Sequence, residues 1–211
     1  MNRNIHWLLD PGHGGVKDGV YQTSGKQYHH LGGPSILEGV VNRDICWRMA
    51  ELLDDAGRMY TVVAHPEEDT PLFDRVSLAN ALCKDTKCAY ISLHCNAGGG
   101  TGWEIYTSPG HTQADSLAEQ LFRATDIRLR GFLPFRLGGH GDIDKEAGFY
   151  VLRKTHCPAV LIEHAFMDNP ADAKLLTNPD FLDQFAKANV TGMLAWEDQL
   201  RSAREYPTKG I

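Results

Sequence analysis

The sequence of 211 residues lacks any long hydrophobic run. No stretch reaches the ~20 consecutive apolar residues that a membrane-spanning helix needs. The apolar run near the N-terminus is interrupted by Asp10 and Pro11, before it attains the length of a signal-peptide core. We therefore expect a protein that is made in the cytoplasm without a signal peptide and does not enter a membrane.

The sequence also lacks an excess of positive charge and lacks paired cysteine motifs. Lysine and arginine number 21 against 27 acidic residues, which gives a formal net charge of −6. This balance gives no electrostatic reason to bind nucleic acid.

None of the five cysteines shows the CxxC spacing of a zinc ribbon or redox pair. Reduced, mostly buried thiols are the favoured interpretation, and a local disulfide between Cys83 and Cys88 is the alternative.

Internal repeats, low-complexity segments and proline- or serine-rich linkers are likewise missing. The composition, with 42% hydrophobic and 23% charged residues, is that of an ordinary folded domain. We predict a single domain over residues 1–211, and we expect a monomer.

Hydrophobic periodicity alternates between strand-like and helix-like segments along the chain. Strands are predicted at 5–9, 60–64, 89–93, 103–107, 149–152 and 158–162. Helices are predicted at 38–56, 72–82, 114–124, 171–176 and 180–200. This order predicts an α/β fold with three layers (α/β/α): a mainly parallel, twisted sheet of about six strands with helices on both faces.

Polar residues follow several of the predicted strands. His13 lies in a glycine-rich turn after the first strand, His94 follows the strand at 89–93, and Glu163 and His164 follow the strand at 158–162. Glu38 begins the first long helix. Because open α/β sheets bind ligands beyond the carboxyl ends of their strands, these side chains are candidates for one site.

Two histidines and a carboxylate form a ligand set that is typical of catalytic zinc, and His13, Glu38 and His94 supply it. Glu163 would then be a general base for metal-assisted amide hydrolysis. Each residue also has an ordinary structural interpretation: a histidine packed after a strand, a glutamate at the positive end of a helix, or a glutamate in a surface ion pair.

The motifs around these residues resemble those of the zinc-dependent N-acetylmuramoyl-L-alanine amidases of the amidase-3 type. They are LLDPGHGG at 8–15, EGVVNRDI at 38–45, AYISLHCNA at 89–97, GWEIYTSPG at 102–110 and VLRKTHCPAVLIEHAFMDN at 151–169. The resemblance implies one zinc ion on His13, Glu38 and His94, with Glu163 as catalytic base. It implies that the substrate is bacterial peptidoglycan or muropeptides, cut between N-acetylmuramic acid and L-alanine.

The resemblance also suggests substrate-binding residues. Asn96 and Ala97 occupy the part of the motif that lines the substrate groove. Asn42, one helical turn after Glu38, is a further candidate, which would steady the ligand or the floor of the site, although a polar position on the helix surface is an equal alternative. His164 departs from the family pattern, in which this position is usually small. It is predicted to contact the leaving group, to orient Glu163, or simply to pack.

The same resemblance sets expectations for the biological role. Cell-wall lysis by an endolysin released as in phage infection is expected, without a separate wall-binding domain. The alternatives are a peptidoglycan-binding module with little turnover and a zinc peptidase acting on another small peptide amide. Asp10 is predicted to fix the turn at His13, Arg75 to belong to the scaffold, and the long polar segment 131–147 to form a wall facing the substrate.

Overall fold

The apolar runs of the sequence form the strands of a central sheet in a computed structural model, which describes residues 5–205. The strands are β1 (His6–Pro11), β2 (Val16–Lys17), β3 (Val20–Tyr21), β4 (Gln27–His29), β5 (Ser35–Leu37), β6 (Tyr60–Val62), β7 (Cys88–Asn96), β8 (Glu104–Thr107), β9 (Lys145–Glu146) and β10 (Ala159–Phe166). The helices are α1 (Glu38–Asp55), α2 (Leu72–Leu82), α3 (Gln113–Leu129), α4 (Tyr150–Lys154), α5 (Pro170–Leu176) and α6 (Pro179–Glu205).

Six strands form the main sheet, in the order β6-β1-β7-β10-β8-β9. Strands β6, β1, β7 and β10 are parallel, β8 runs antiparallel to β10, and β9 pairs parallel to β8. The prediction of a mainly parallel sheet of about six strands is therefore confirmed.

Alternation along the strands sends side chains into two separate cores. In β1, Trp7 and Leu9 belong to the larger core, whereas Leu8 belongs to the smaller one. The larger core includes buried residues of α1, α3, α5 and α6, and the smaller core those of α2 and α4. Because successive strand residues point to opposite faces, both faces of the sheet are covered, which confirms the three-layer arrangement.

One predicted strand is wrong. The run at 149–152 does not join the sheet but begins the short helix α4, in which the amide of Arg153 donates to the carbonyl of Phe149 at 3.1 Å. Val151 and Leu152 are adjacent and both are buried in the smaller core. A strand would send them to opposite faces, whereas one turn of helix lying on the sheet buries both. A short apolar run does not distinguish these two cases by itself.

The two long polar segments are partly ordered into strands. Within residues 14–36, β2 pairs with β3 and β4 pairs with β5, each pair antiparallel. Within residues 131–147, β9 adds a short edge strand next to β8. This edge strand was not predicted, because two residues carry no periodicity.

No helix among residues 5–205 has both the length and the apolar character to cross a membrane. Residues 1–4, which also enter the expectation of a missing signal peptide, lie outside the described range.

A buried ion pair lies between the sheet and α2. Arg75 and Asp10 are each 1% exposed, and Nη1 of Arg75 donates to Oδ1 of Asp10 at 2.6 Å. The hydroxyl of Ser92 donates to Oδ2 of Asp10 at 2.7 Å. Burial raises the pKa of Asp10, but these two partners outweigh it and hold the pKa below its usual value. Asp10 is therefore ionised in the folded protein.

The same guanidinium organises the turn after β1. It donates to the carbonyl oxygens of Pro11 at 2.8 Å, His13 at 3.0 Å and Thr70 at 2.7 Å. The prediction that Asp10 fixes the turn at His13 needs one addition, since the contact to the turn is made by Arg75, which Asp10 holds in place.

Replacing Arg75→Met is expected to lower the free energy of unfolding by about 3–5 kcal/mol, because Asp10 is left buried without its cation. Arg123→Met, which removes an exposed ion pair with Glu119 on α3, serves as control and should cost at most about 1 kcal/mol. Urea denaturation measures both values. Equal losses in the two variants would contradict the prediction.

The ion pair between Arg75 and Asp10 should stabilise the folded protein less at acidic pH than at neutral pH. The folded-state pKa of Asp10 lies below its unfolded value, so the folded protein binds fewer protons there than the unfolded chain. The stability difference between wild type and Arg75→Met should be smallest in acid, where Asp10 is protonated in both folded proteins. It should grow as the pH rises through the lowered pKa of the wild type and on through the raised pKa that burial gives Asp10 in the variant. A difference that grows on acidification would show that Asp10 is not the group involved.

Candidate active site

Strand register places two of the predicted site residues side by side. His94 on β7 and Glu163 on β10 are directly paired in the parallel ladder, at the carboxyl edge of the sheet. Leu161 belongs to the smaller core and Ile162 to the larger one, so alternation directs Glu163 to the same side as Leu161. The sheet itself thus fixes both side chains at one edge.

His13 reaches this edge from the turn after β1. Its backbone has φ 64°, a left-handed conformation that side chains other than glycine adopt rarely. The preceding Gly12 lies against the imidazole of His94, where a Cβ atom would stand 2.2 Å from Cε1 of His94. Only glycine therefore lets the turn approach His94 closely enough to bring the two rings together, with centroids 4.9 Å apart.

Glu38 comes from the other side of the sheet, as the first residue of α1. Its amide donates to the carbonyl of Lys26 at 3.0 Å, and the amide of Gly39 donates to the hydroxyl of Tyr21 at 2.9 Å. The start of α1 is thus capped by groups of the segment 14–36 rather than by its own side chains. This capping holds the Glu38 carboxylate at the edge of the sheet.

The carboxylate of Glu38 lies between the two histidines. Its Oε1 is 3.2 Å from Nε2 of His13 and 3.0 Å from Nδ1 of His94, and it accepts from the amide of Cys95 at 3.2 Å. Burial raises the pKa of Glu38, but the two histidines outweigh it, so the net pKa lies well below the usual value and the group is ionised.

The residues present fit a bound metal ion. One ligand atom from each of His13, Glu38 and His94 lies within 4.8 Å of the others. Nε2 of His13 is buried and has no hydrogen-bond partner of good geometry among the described residues. Two imidazole nitrogens and a carboxylate oxygen are the donor set that zinc takes in catalytic sites. The structure thus brings together the three residues that the sequence predicts as metal ligands.

Glu163 faces the same cavity without a partner for one of its oxygens. Oε2 of Glu163 is buried and accepts no hydrogen bond among residues 5–205. Burial raises the pKa of Glu163 to about 7, with the positive charge of His94 opposing and the negative charge of Glu38 reinforcing the shift. A carboxyl group poised near neutral pH can both accept and donate a proton.

The cavity over these residues has a volume of about 400 Å³. Besides His13, Glu38, His94 and Glu163, its lining consists of Gly25, Lys26, Leu72, Cys95, Asn96, Ala97, Phe149, Tyr150, Val151, Leu161 and Met167. Most of these residues are apolar, as in many ligand sites. Sequence reasoning missed Lys26 and the residues of α4, since the former lies in an irregular segment and the latter were predicted as a strand.

Asn96 and Ala97 both line the cavity, where the sequence predicts substrate contacts. The Asn96 side chain accepts from the amide of Ala97 at 2.8 Å and donates to Oε2 of Glu104 at 3.3 Å. The backbone that follows β7 is therefore held in a fixed conformation beside His94.

Asn42 and His164 lie beneath the site instead of on its surface. Both are fully buried. Asn42 donates to the carbonyl of Gly12 at 3.1 Å. The ring of His164 is 3.2 Å from the carbonyl of His94 and 2.9 Å from Nδ2 of Asn189 on α6. Neither residue lines the cavity, so the position predicted for substrate contact is not the one they take, and His164 follows the packing alternative. Alternation along β10 and the inward face of α1 direct both side chains toward the larger core, where they support the metal-binding turn and strand.

Glu104 is a further charged group at this edge that sequence reasoning did not single out. It is paired with Glu163 in the antiparallel ladder between β8 and β10 and is 2% exposed. Lys145 lies 3.0 Å from its Oε1, and Arg136 and Tyr106 also donate to this carboxylate. Burial raises the pKa of Glu104, but these donors outweigh it and the net pKa is lowered. Both cations come from segment 131–147, which therefore reaches the edge of the site.

Comparison with known proteins agrees with this geometry. The family model described as N-acetylmuramoyl-L-alanine amidase (Amidase_3) matches residues 8–195. The chain belongs to this family of amidases.

Two relatives show how far the similarity extends. The amidase CwlM of Bacillus licheniformis is 31% identical over 192 residues, covering 88% of this chain and 66% of that protein. The endolysin of Bacillus phage SPP1 is 28% identical, covering 88% of this chain and 63% of its own length. The chain thus spans just under two thirds of the length of these relatives.

Solved structures share the fold. An N-acetylmuramoyl-L-alanine amidase from Clostridium difficile 630 superposes with a TM-score of 0.75 at 24% identity, covering 99% of this chain and all of that one. The amidase AmiC2 of Nostoc punctiforme gives a TM-score of 0.71 at 24% identity. At this level of identity the likeness establishes the architecture and not the activity.

Replacing Gly12→Ala is expected to reduce zinc affinity by roughly tenfold or more, because the added methyl group displaces the His94 ring. Gly139→Ala is the matched control, since a Cβ atom there meets no atom within 4 Å. Metal content after dialysis against zinc buffers measures the effect, and circular dichroism checks that both variants fold. Equal zinc affinity in the two variants would contradict the close approach.

Proposed function

We propose that this chain hydrolyses the amide bond between N-acetylmuramic acid and L-alanine in peptidoglycan, with one zinc ion. The observation that carries the proposal is Glu163, a buried carboxyl with a raised pKa and an unpartnered oxygen, in the same cavity as the cluster of His13, Glu38 and His94. Family membership supports the substrate class, and the names of the relatives support the bond that is cut.

His13, Glu38 and His94 would hold the zinc ion. When bound, zinc supplies Lewis-acid activation of an amide carbonyl and of water. The buried Arg75–Asp10 pair and Gly12 hold the turn of His13 in place for this role.

Glu163 moves the protons of the reaction. Its carboxylate takes a proton from the attacking water, whose oxygen forms the new bond to the carbonyl carbon. As the carbon–nitrogen bond breaks, the same carboxyl returns the proton to the leaving amine of L-alanine. The apolar lining around it, including Leu161 and Val151, favours the neutral form between the two transfers.

Two alternative functions, a wall-binding module and a zinc peptidase, would give no products or different products. A wall-binding module needs no group with the properties of Glu163, so its burial beside a metal-binding cluster favours turnover. A zinc peptidase acting elsewhere would release amino termini other than that of L-alanine.

Digestion of purified cell walls tests the proposed activity. The expected products are new L-alanine amino groups without new reducing sugars. Glu163→Gln should lower kcat by about 10²–10⁴-fold, because the amide keeps the shape of the side chain but accepts no proton. Zinc content should remain that of the wild type, which serves as the control for the metal site. Unchanged turnover in this variant would refute the proposal.

The activity should rise with pH through the pKa of Glu163, since only the ionised carboxylate takes a proton from water. The groups of the protein bring that pKa from 4.5 to about 7, and a bound cation lowers it again. The acidic limb of kcat/KM is therefore expected between these two values, with zinc content verified at each pH. A limb centred well above neutral pH would exclude Glu163 as the base.

The likeness to a phage endolysin supports a role in wall breakdown at lysis as part of the same proposal. Release from the cytoplasm and a monomeric state stay predictions. Co-expression with a membrane-permeabilising phage protein tests the lytic role, and lysis that depends on Glu163 is the expected result.

A further inference from the structure

Lys26 is a charged group in the cavity that the proposed chemistry does not use. It belongs to the segment of residues 14–36, which connects the turn of His13 to α1. Lys26 lines the same cavity as Glu38 and Glu163 and its side chain is exposed. Its charge acts on Glu163, where it lowers the pKa.

The backbone that carries Lys26 is fixed beside the metal-binding cluster. The carbonyl of Lys26 accepts from the amide of Glu38 at 3.0 Å and from the hydroxyl of Tyr21 at 2.9 Å. Further along the segment, the ring of His30 donates to the carbonyl of Met167 at 2.9 Å, just beyond β10. The segment is thus attached on both sides of the cavity, and the position of Lys26 is built into the fold.

The ammonium group of Lys26 has no carboxylate partner within ion-pair distance among residues 5–205. Other cations near this edge have their donors occupied: Arg75 pairs with Asp10, and Arg136 and Lys145 pair with Glu104. The guanidinium of Arg43 donates to backbone carbonyls, among them those of Gly39 and Pro66. An ammonium group on the cavity wall that has no carboxylate partner in the protein is suited to a ligand that carries a negative charge.

The size of the cavity limits where that charge lies on the substrate. At about 400 Å³ it holds only a few amino-acid residues, and one residue of extended peptide spans about 3.3–3.6 Å. A charge that reaches Lys26 while the scissile amide lies at Glu163 is therefore close to that amide. The first position available is the residue that follows L-alanine, since L-alanine itself has no charged side chain.

We propose that Lys26 determines specificity for stem peptides whose second residue carries a free carboxylate. This inference rests on the proposed amidase activity and adds the part of the substrate that the enzyme recognises. A carboxamide at the same position accepts a hydrogen bond but carries no charge, so it would lose the charge-assisted part of the contact.

Two disaccharide peptides test the inference. They are identical except that the glutamyl residue after L-alanine has its α-carboxyl group as the free acid or as the carboxamide. Wild-type protein should show a kcat/KM about tenfold higher for the acid. Lys26→Met should lose about tenfold on the acid and stay within about twofold on the amide, whereas Lys26→Arg should keep the preference.

Lys187→Met, which removes an exposed lysine from α6, is the control for loss of one positive charge and should retain the wild-type preference. Zinc content and thermal stability should be equal in all four proteins. Equal rates of the wild type on both peptides, or an unchanged preference in Lys26→Met, would overturn the inference.

A binding measurement separates failure of this inference from failure of the amidase proposal. Titration calorimetry of both peptides uses protein carrying Glu163→Gln, with and without Lys26→Met. A preference for the acid that disappears with Lys26, in a protein whose wild type releases no L-alanine amino groups, would support the role of Lys26 and refute the amidase. Turnover by the wild type with no preference in either kcat/KM or binding would support the amidase and refute the role of Lys26. A protein that shows neither binding of the peptides nor turnover would refute both proposals.

Discussion

The geometry of the site depends on the contacts that the buried guanidinium of Arg75 makes with Asp10 and with the turn after β1. Its charge is balanced by Asp10 at the end of β1, and its remaining donors hold the turn that carries His13. A charge in this position is costly unless every donor has a partner, so the pair, the turn and the adjacent segment at Thr70 have to form together. The left-handed backbone of His13 is maintained by these contacts.

The site combines elements from both layers of helices. Parallel strands present His94 and Glu163 at one edge on the face of α2 and α4, while α1 lies on the opposite face and contributes Glu38 from its first residue. Convergence at the edge of the sheet allows a carboxylate from one layer to contact histidines directed toward the other. Residues far apart in sequence thereby form a cluster whose spacing is fixed by sheet register instead of by a local loop.

The sequence predicts much of this architecture because its signals are periodic. The burial of β7 and β10 and the helical spacing of α1 identify the elements, and the polar residues that end the strands identify His13, His94 and Glu163. Other parts escape prediction for physical reasons. The run at 149–152 is too short to distinguish one helical turn from a strand. His164 is buried because its face of β10 packs against α6, and the sequence does not show which face that is. Lys26 lies in an irregular segment whose position depends on tertiary hydrogen bonds.

Capping of α1 by groups of the segment 14–36 has a consequence for protein engineering. The first two amides of this helix find their acceptors on Lys26 and Tyr21, outside the helix. A chimera that exchanges the segment alone for that of a relative keeps these caps only if the new segment places a backbone carbonyl and a hydroxyl at the same two points, because the acceptors are the backbone oxygen of Lys26 and the side chain of Tyr21. The exchangeable module therefore extends from the turn after β1 through the first turn of α1, so loop and helix start are inherited as one unit.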